Sequence, residues 1–158
     1  MMGLKDQILE ILEEYDSPSK SEICKILKDG GYTHNMKIIS LILEVLQREK
    51  QIRCGYRGVF YGKPYVGYYL NSPSLPTEDQ LKSMILGELK GEIIRGKDLS
   101  LSLGLPYALV LDTLNNLRKE GIILRENQGF YLKGEDLCVV RSGHLLVYFC
   151  DSSVNGNT

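Results

Sequence analysis

The strongest constraint in this sequence is that it carries one pattern twice. Leu46-Gln47-Arg48-Glu49 and Leu117-Arg118-Lys119-Glu120 each close an apolar helical stripe with a basic and acidic exit. Ile52 and Ile123 then open β-prone runs at the same distance behind them. A run repeated in this way, with like elements before it, means that one supersecondary plan is used twice. A chain of 158 residues accommodates two small domains of that kind.

In the first copy Leu4, Ile8, Ile11, Leu12 and Tyr15 form the i, i+3, i+4, i+7 stripe of a helix with one buried face. Asp16-Ser17-Pro18 breaks it, and Ser19-Lys20-Ser21-Glu22 has the spacing of a capping box for a second, short helix bearing Ile23, Ile26 and Leu27. Gly30-Gly31 stops that helix, because glycine enters the left-handed region without penalty. A third helix is expected from about Asn35 to Glu49, with Ile39, Ile42, Leu43 and Leu46 inward. The glycine- and tyrosine-rich run GYRGVFYGKPYVGYYL then predicts a hairpin with a long tip.

After Asn71-Ser72-Pro73-Ser74-Leu75-Pro76, whose prolines mark an extended boundary, the order returns. Thr77 to Gln80 is a second capping box. Ile85, Leu86 and Leu89 stripe a first helix, Leu99 and Leu103 a second, and Val110, Thr113, Leu114 and Leu117 a third. A short hairpin follows, Ile122 to Arg125 and Phe130 to Leu132, turning at Glu126-Asn127-Gln128-Gly129. Glu135 to Thr158 lies outside both copies. Leu137 to Arg141, a Ser142-Gly143 turn and His144 to Phe149 predict a further hairpin, too apolar to stand uncovered. The second unit or a partner chain, a second copy included, is expected to cover it.

The run Asp98 to Ile123 resembles the helix-turn-helix plus wing of many bacterial and archaeal regulators. It carries an apolar second helix, Leu103-Gly104-Leu105 at the turn, Pro106 opening the third helix, and Leu117 before a basic, acidic and glycine exit. The likeness covers residues 80 to 132 well and 4 to 70 less closely, since the first copy has Lys28-Asp29-Gly30-Gly31-Tyr32-Thr33-His34 in place of the tight turn. It implies an α+β class, mainly α with small β-hairpins: two consecutive winged-helix domains and a C-terminal β-hairpin. The expected divisions are 3–70, a linker at 71–76, 77–134, the hairpin at 135–150, and a polar, disordered tail at 151–158.

Charge narrows the function. The chain totals −1, but residues 35–63 carry Lys37, Arg48, Lys50, Arg53, Arg57 and Lys63 against Glu44 and Glu49, a net of +4, whereas residues 1–34 carry four Lys against seven acids. On the first third helix the expected outward face is Lys37, Leu41, Glu44 and Arg48, with Ser40 and Gln47 beside it. A winged helix of DNA-binding type offers that face to the major groove and its hairpin to the backbone or minor groove. Lys37 and Arg48 then suit phosphates, while Asn35, Ser40 and Gln47 suit base edges. Glu44 with Arg48 is equally an ordinary i, i+4 surface pair.

The wing alternates Arg53, Arg57 and Lys63 with Tyr56, Phe60, Tyr61, Tyr65, Tyr68 and Tyr69. Arg57, placed at a glycine-flanked tip, is expected to enter a narrow minor groove, with Tyr56 beside it. At least half of these aromatic residues are expected simply to pack on the helices. The second third helix is expected to show Ala108, Asp112, Asn115 and Lys119, flanked by Leu111 and Arg118. Asn115, Arg118 and Lys119 suit DNA; Asp112, Leu109 and Leu111 suit a protein.

Other classes find no support in the residues. Cys24, Cys54, Cys138 and Cys150 are widely spaced and only His34 and His144 join them, so no metal site or other cofactor is expected, and the thiols are read as free. Gly62-Lys63-Pro64 and Gly96-Lys97-Asp98 lack the remainder of a phosphate loop, and neither histidine has a nucleophile at recognisable spacing, so no enzyme is expected. The acidic amino-terminal helix is not a secretory signal and no apolar run is long enough for a membrane, which predicts a cytoplasmic protein. The partner expected is double-stranded DNA. The alternative is a protein-interaction adaptor, since tandem winged helices also serve assemblies that never touch bases.

Overall fold

The computed structural model describes residues 2–32, 34–126, 129–133, 139–141 and 146–147. The chain divides into two units, Met1–Leu75 and Pro76–Thr158. Each runs three helices and then an antiparallel hairpin, an α+β arrangement of winged-helix type.

In the first unit these are α1 (Leu4–Glu14), α2 (Lys20–Asp29) and α3 (Met36–Arg48), followed by β1 (Ile52–Phe60) and β2 (Lys63–Leu70). The stripes converge on one core of Ile8, Ile11, Leu12, Ile23, Leu27, Ile39, Leu43, Leu46, Ile52 and Tyr68. Each fully buried aliphatic side chain of this kind contributes about 1.5–3 kcal/mol. Tyr15, expected on the buried stripe, is exposed because α1 ends one residue before it. Ser19 caps α2 by accepting from the Glu22 amide, but only half of the expected box forms, since the Glu22 carboxylate turns to Ser19 Oγ and Arg57.

Helix α2 closes in a Schellman motif: Gly31, at φ 89, donates to Lys28 O, and Tyr32 donates to Leu27 O. Helix α3 closes in the same way through Lys50 and Gln51, with Lys50 itself at φ 60.

The wing is one long ribbon. β1 and β2 pair from Ile52↔Leu70 to Phe60↔Lys63, with a bulge at Arg57. The tip is a two-residue turn, Tyr61-Gly62, not the long tip expected. Both residues have positive φ, 50° and 75°, as a type I′ turn requires. The base of the ribbon is locked to the α1–α2 loop: the Tyr68 amide donates to Pro18 O, and a Cβ on Gly67 would overlap the Ser17 carbonyl oxygen.

The second unit has α4 (Glu78–Glu88), β3 (Glu92–Arg95), α5 (Gly96–Leu103), α6 (Tyr107–Lys119), β4 (Ile123–Glu126) and β5 (Gly129–Leu132). The full Thr77/Gln80 capping box is present. Strand β3 is absent from the sequence reading: four residues between Gly91 and Gly96 are too few to show a period. Its Ile93 and Ile94 are buried, and it pairs antiparallel with β5.

β6 (Val139–Arg141) joins the other edge of β3 in parallel, and β7 (Leu146–Val147) pairs antiparallel with β6, giving the order β4-β5-β3-β6-β7. The expected C-terminal hairpin thus adds to the sheet of the second unit. The Asn127-Gln128 and Ser142-Gly143 turns, His144, Cys138, Cys150 and the 151–158 tail lie outside the described residues.

Between the units the expected extended linker is instead partly tied down. Asn71 bonds to Gln51 O and Lys50 O, and Leu75 donates to Ser72 O across a turn. No helix among the described residues is long and apolar enough to cross a membrane.

Candidate functional site

The first unit presents two grooves, one at each end of α2. At the carboxyl end, Cys24, Lys25, Lys28, Tyr32, His34 and Asn35 line a depression of about 590 Å³ where α2 hands over to α3. Lys25 and Lys28 are there because Ile23 and Leu27 are buried, which turns the i, i+3 pair 25 and 28 outward. Asn35 caps α3, its Oδ1 accepting from the Ile38 amide at 2.9 Å. That bond orients the helix start and uses one lone pair of the oxygen, while the amide nitrogen keeps its two donors. Lys37, on the first turn of α3, is exposed beside it.

Further along α3 the outward stripe is as expected, with Lys37, Leu41, Glu44 and Arg48 exposed and Ser40 and Gln47 half-buried. Met36, Ile38 and Leu41 add apolar area to this face, Leu41 being 59% exposed.

At the amino end of α2, Ser19, Lys20, Ser21 and Glu22 face Phe60, Tyr65, Val66 and Tyr68 of the wing across a groove of about 530 Å³. Arg57 does not occupy the tip. It sits at the bulge in mid-strand, its stem crosses Gly67, and its guanidinium ion-pairs with Glu22 and lies 5.9 Å from the centroid of the Tyr65 ring. The pair links the wing to α2, and Arg57 stands back from the tip at which a minor-groove contact was expected.

Arg53 is exposed, lying 5.6 Å from the centroid of the buried Tyr69 ring. Tyr56 is half-buried opposite Val66. Lys63 is exposed at the turn. Tyr68 joins the core and Tyr69 is buried beside Arg53; burial, aided by Cys54 and Glu44, pushes the Tyr68 hydroxyl above its ordinary value.

The corresponding surface of the second unit is largely closed. Ala108, Leu109 and Leu111, expected outward, are buried. Leu111 and Leu114 pack over Gly96, with Phe130 beside them. The absence of a side chain at Gly96 admits α6 more deeply than its periodicity implies. Asp112 and Asn115 are half-buried, and only Arg118 and Lys119, in the last turn of α6, are fully presented.

Lys25, Lys28 and His34 are the site members that sequence reasoning missed. The charge count grouped the two lysines with the acids of α1, which the fold assigns to a different helix. The signal was present in the apolar spacing of α2, which fixes which lysines share a face. Among the described residues no group of three or more His, Cys, Asp or Glu side chains suits a metal ion.

No protein-family model and no curated protein matches this chain. Among solved structures it is similar to the ferric uptake regulator (Fur) of Vibrio cholerae, at 22% identity and a TM-score of 0.39, over 48% of this chain and 56% of that one. The chain thus spans a little over half the length of that regulator.

Proposed function

We propose that the protein binds double-stranded DNA through its first unit, as a transcriptional or replication regulator built from a tandem of winged helices. The observation that carries this is the groove at the start of α3, where Lys25, Lys28, His34 and Asn35 meet beside exposed Lys37. The beginning of the third helix is the part that enters the major groove in helix-turn-helix recognition. Lysines on both of its sides supply phosphate contacts that fix register, and Ser40 and Gln47 supply polar groups for base edges. Arg48, Arg53 and Lys63 extend the cationic surface onto the wing.

Affinity for random duplex, measured by fluorescence anisotropy across a salt series, is expected to fall steeply, with a log-log slope of roughly 0.9 per phosphate contact. No binding at the lowest salt overturns the proposal.

A second reading, a protein-interaction adaptor, is favoured by the apolar exposure of Met36, Ile38 and Leu41 on the same helix. Leu41→Lys separates the two. Added charge strengthens binding to a polyanion and disrupts an apolar protein contact. In the first reading the second unit extends the DNA footprint or holds a protein, and its C-terminal hairpin is the candidate contact for a second copy.

A further inference from the structure

The wing tip is apolar where a phosphate-tracking wing is expected to be basic. Val59, Phe60 and Tyr61 are 58%, 67% and 90% exposed, and Val66 across the ribbon is 40% exposed. The Phe60 and Tyr61 rings meet edge to face with centroids 4.5 Å apart. Tyr61 holds φ 50, a conformation costly for a residue with a bulky side chain and usually given to Asn or Gly in such a turn. The turn needs a positive φ there but not a tyrosine, and a bulky aromatic kept at a strained, solvent-facing position points toward function.

The setting identifies the ligand chemistry. Lys63 stands at the turn, opposite Phe60 in register, and Lys20 faces Phe60 across the α2 groove. An aromatic pair at the end of a stiff ribbon, with cations beside it, matches what unstacks bases: an apolar wedge inserted from the minor groove while neighbouring charges hold the phosphates.

We propose that the wing tip is a wedge whose Phe60 and Tyr61 rings enter a base-pair step of duplex DNA from the minor groove and kink it. This rests on the DNA-binding reading above and specifies what the wing does there. The step chosen is one that unstacks readily, a pyrimidine–purine step or a mismatch.

The test uses the full chain, a duplex of about 25 base pairs carrying end dyes for energy transfer, and 2-aminopurine beside a central TA step. The variant Phe60→Thr/Tyr61→Asn keeps the hairpin, because threonine suits a strand and an Asn-Gly pair suits the type I′ turn. The wild type is expected to bend the duplex by roughly 20–90°. It is also expected to raise the 2-aminopurine emission and to bind a centrally mismatched duplex about tenfold more tightly than an intact one, the unstacking cost being already met.

The double variant is expected to lose the bend, the emission change and the mismatch preference while keeping the salt slope. A wild type that binds with a steep salt slope but neither bends DNA nor changes the emission overturns the wedge and leaves DNA binding intact. No salt-dependent binding at all overturns both. Unchanged bending by the variant overturns the wedge, as does a variant that binds and bends DNA like the wild type but has lost a dimer seen on sizing; the latter assigns the tip to a protein contact.

Discussion

The third helices of the two units are both thirteen residues long, yet α3 buries three of its residues and α6 buries seven. In α3 the apolar positions fall on one stripe and the rest of the circumference stays outside. In α6 the same stripe is joined by Ala108, Leu109 and Leu111, and the side-chain-free Gly96 gives Leu111 somewhere to go. One plan therefore yields an open helix in one copy and an embedded one in the other. The wings differ in the same sense: the first is a sheet of two strands, the second part of a five-stranded sheet. Repeating a fold does not repeat a surface.

The largest effect that can break this comparison is expected at the base of the first wing. Gly67→Val drives a side chain into the Ser17 backbone, which cannot yield as a side-chain end can, and is expected to cost about 3 kcal/mol. Gly96→Ala meets only the side-chain methyl and ring carbons of Leu111, Leu114 and Phe130, and is expected to cost about 1 kcal/mol. Hydrogen exchange resolved by residue checks both. Loss of protection confined to the first unit is expected for the former, and equal damage to both units contradicts the account of the wing base.

Next in size is the split in nucleic-acid contact. Lys25→Ala/Lys28→Ala/Lys37→Ala is expected to weaken duplex binding at least about tenfold and to reduce the salt slope by roughly 0.9 for each contact removed. Arg118→Ala/Lys119→Ala is expected to change affinity less than about threefold, since α6 offers those cations only in its last turn. Equal losses from the two variants make both copies DNA readers and remove the asymmetry.

Smaller again is the difference between the capped helices. Thr77→Ala removes the Oγ1 that accepts from the Gln80 amide, leaving the residue-77 amide bonded to Gln80 Oε1, and is expected to cost about 1 kcal/mol in urea unfolding. Ser19→Ala removes the acceptor for the Glu22 amide and the hydroxyl donated to the Glu22 carboxylate, but that carboxylate keeps Arg57 as its partner, and the change is expected to cost about half as much. The smallest effect is expected at the helix exits, where Lys50 holds the left-handed position that Gly121 holds in the second unit. Lys50→Gly is expected to raise the stability of the first unit by about 0.5 kcal/mol. A decrease in its denaturant midpoint contradicts that assignment.

Much of the fold was legible because helix stripes, caps and glycine stops are local. The spacing of Ile39, Leu43 and Leu46 defines the face of α3 without reference to anything distant. Thr77 with Gln80, and Gly121 behind Leu117, fix helix ends within a few residues. β3 was not legible, because four residues carry no period and its partner β5 is distant in sequence. The candidate site was legible only in part: Lys37, Arg48, Arg53 and Lys63 lie exposed as expected, while Asn35 also caps α3 and Arg57 sits at a mid-strand bulge paired with Glu22, not at the tip.

By itself the sequence determined two copies of helix, helix, helix and hairpin, the positions of their caps, and which face of α3 looks outward, since each follows from near-neighbour geometry and the burial of apolar side chains. Tertiary structure alone decided which charges are available. Glu22 pairs with Arg57 across 35 positions, α2 delivers Lys25 and Lys28 to the start of α3, and a two-residue turn sets Phe60 and Tyr61, not an arginine, at the point of the wing. Electrostatic pairing and packing act between residues that meet only after folding, and the order of residues along the chain does not record those meetings.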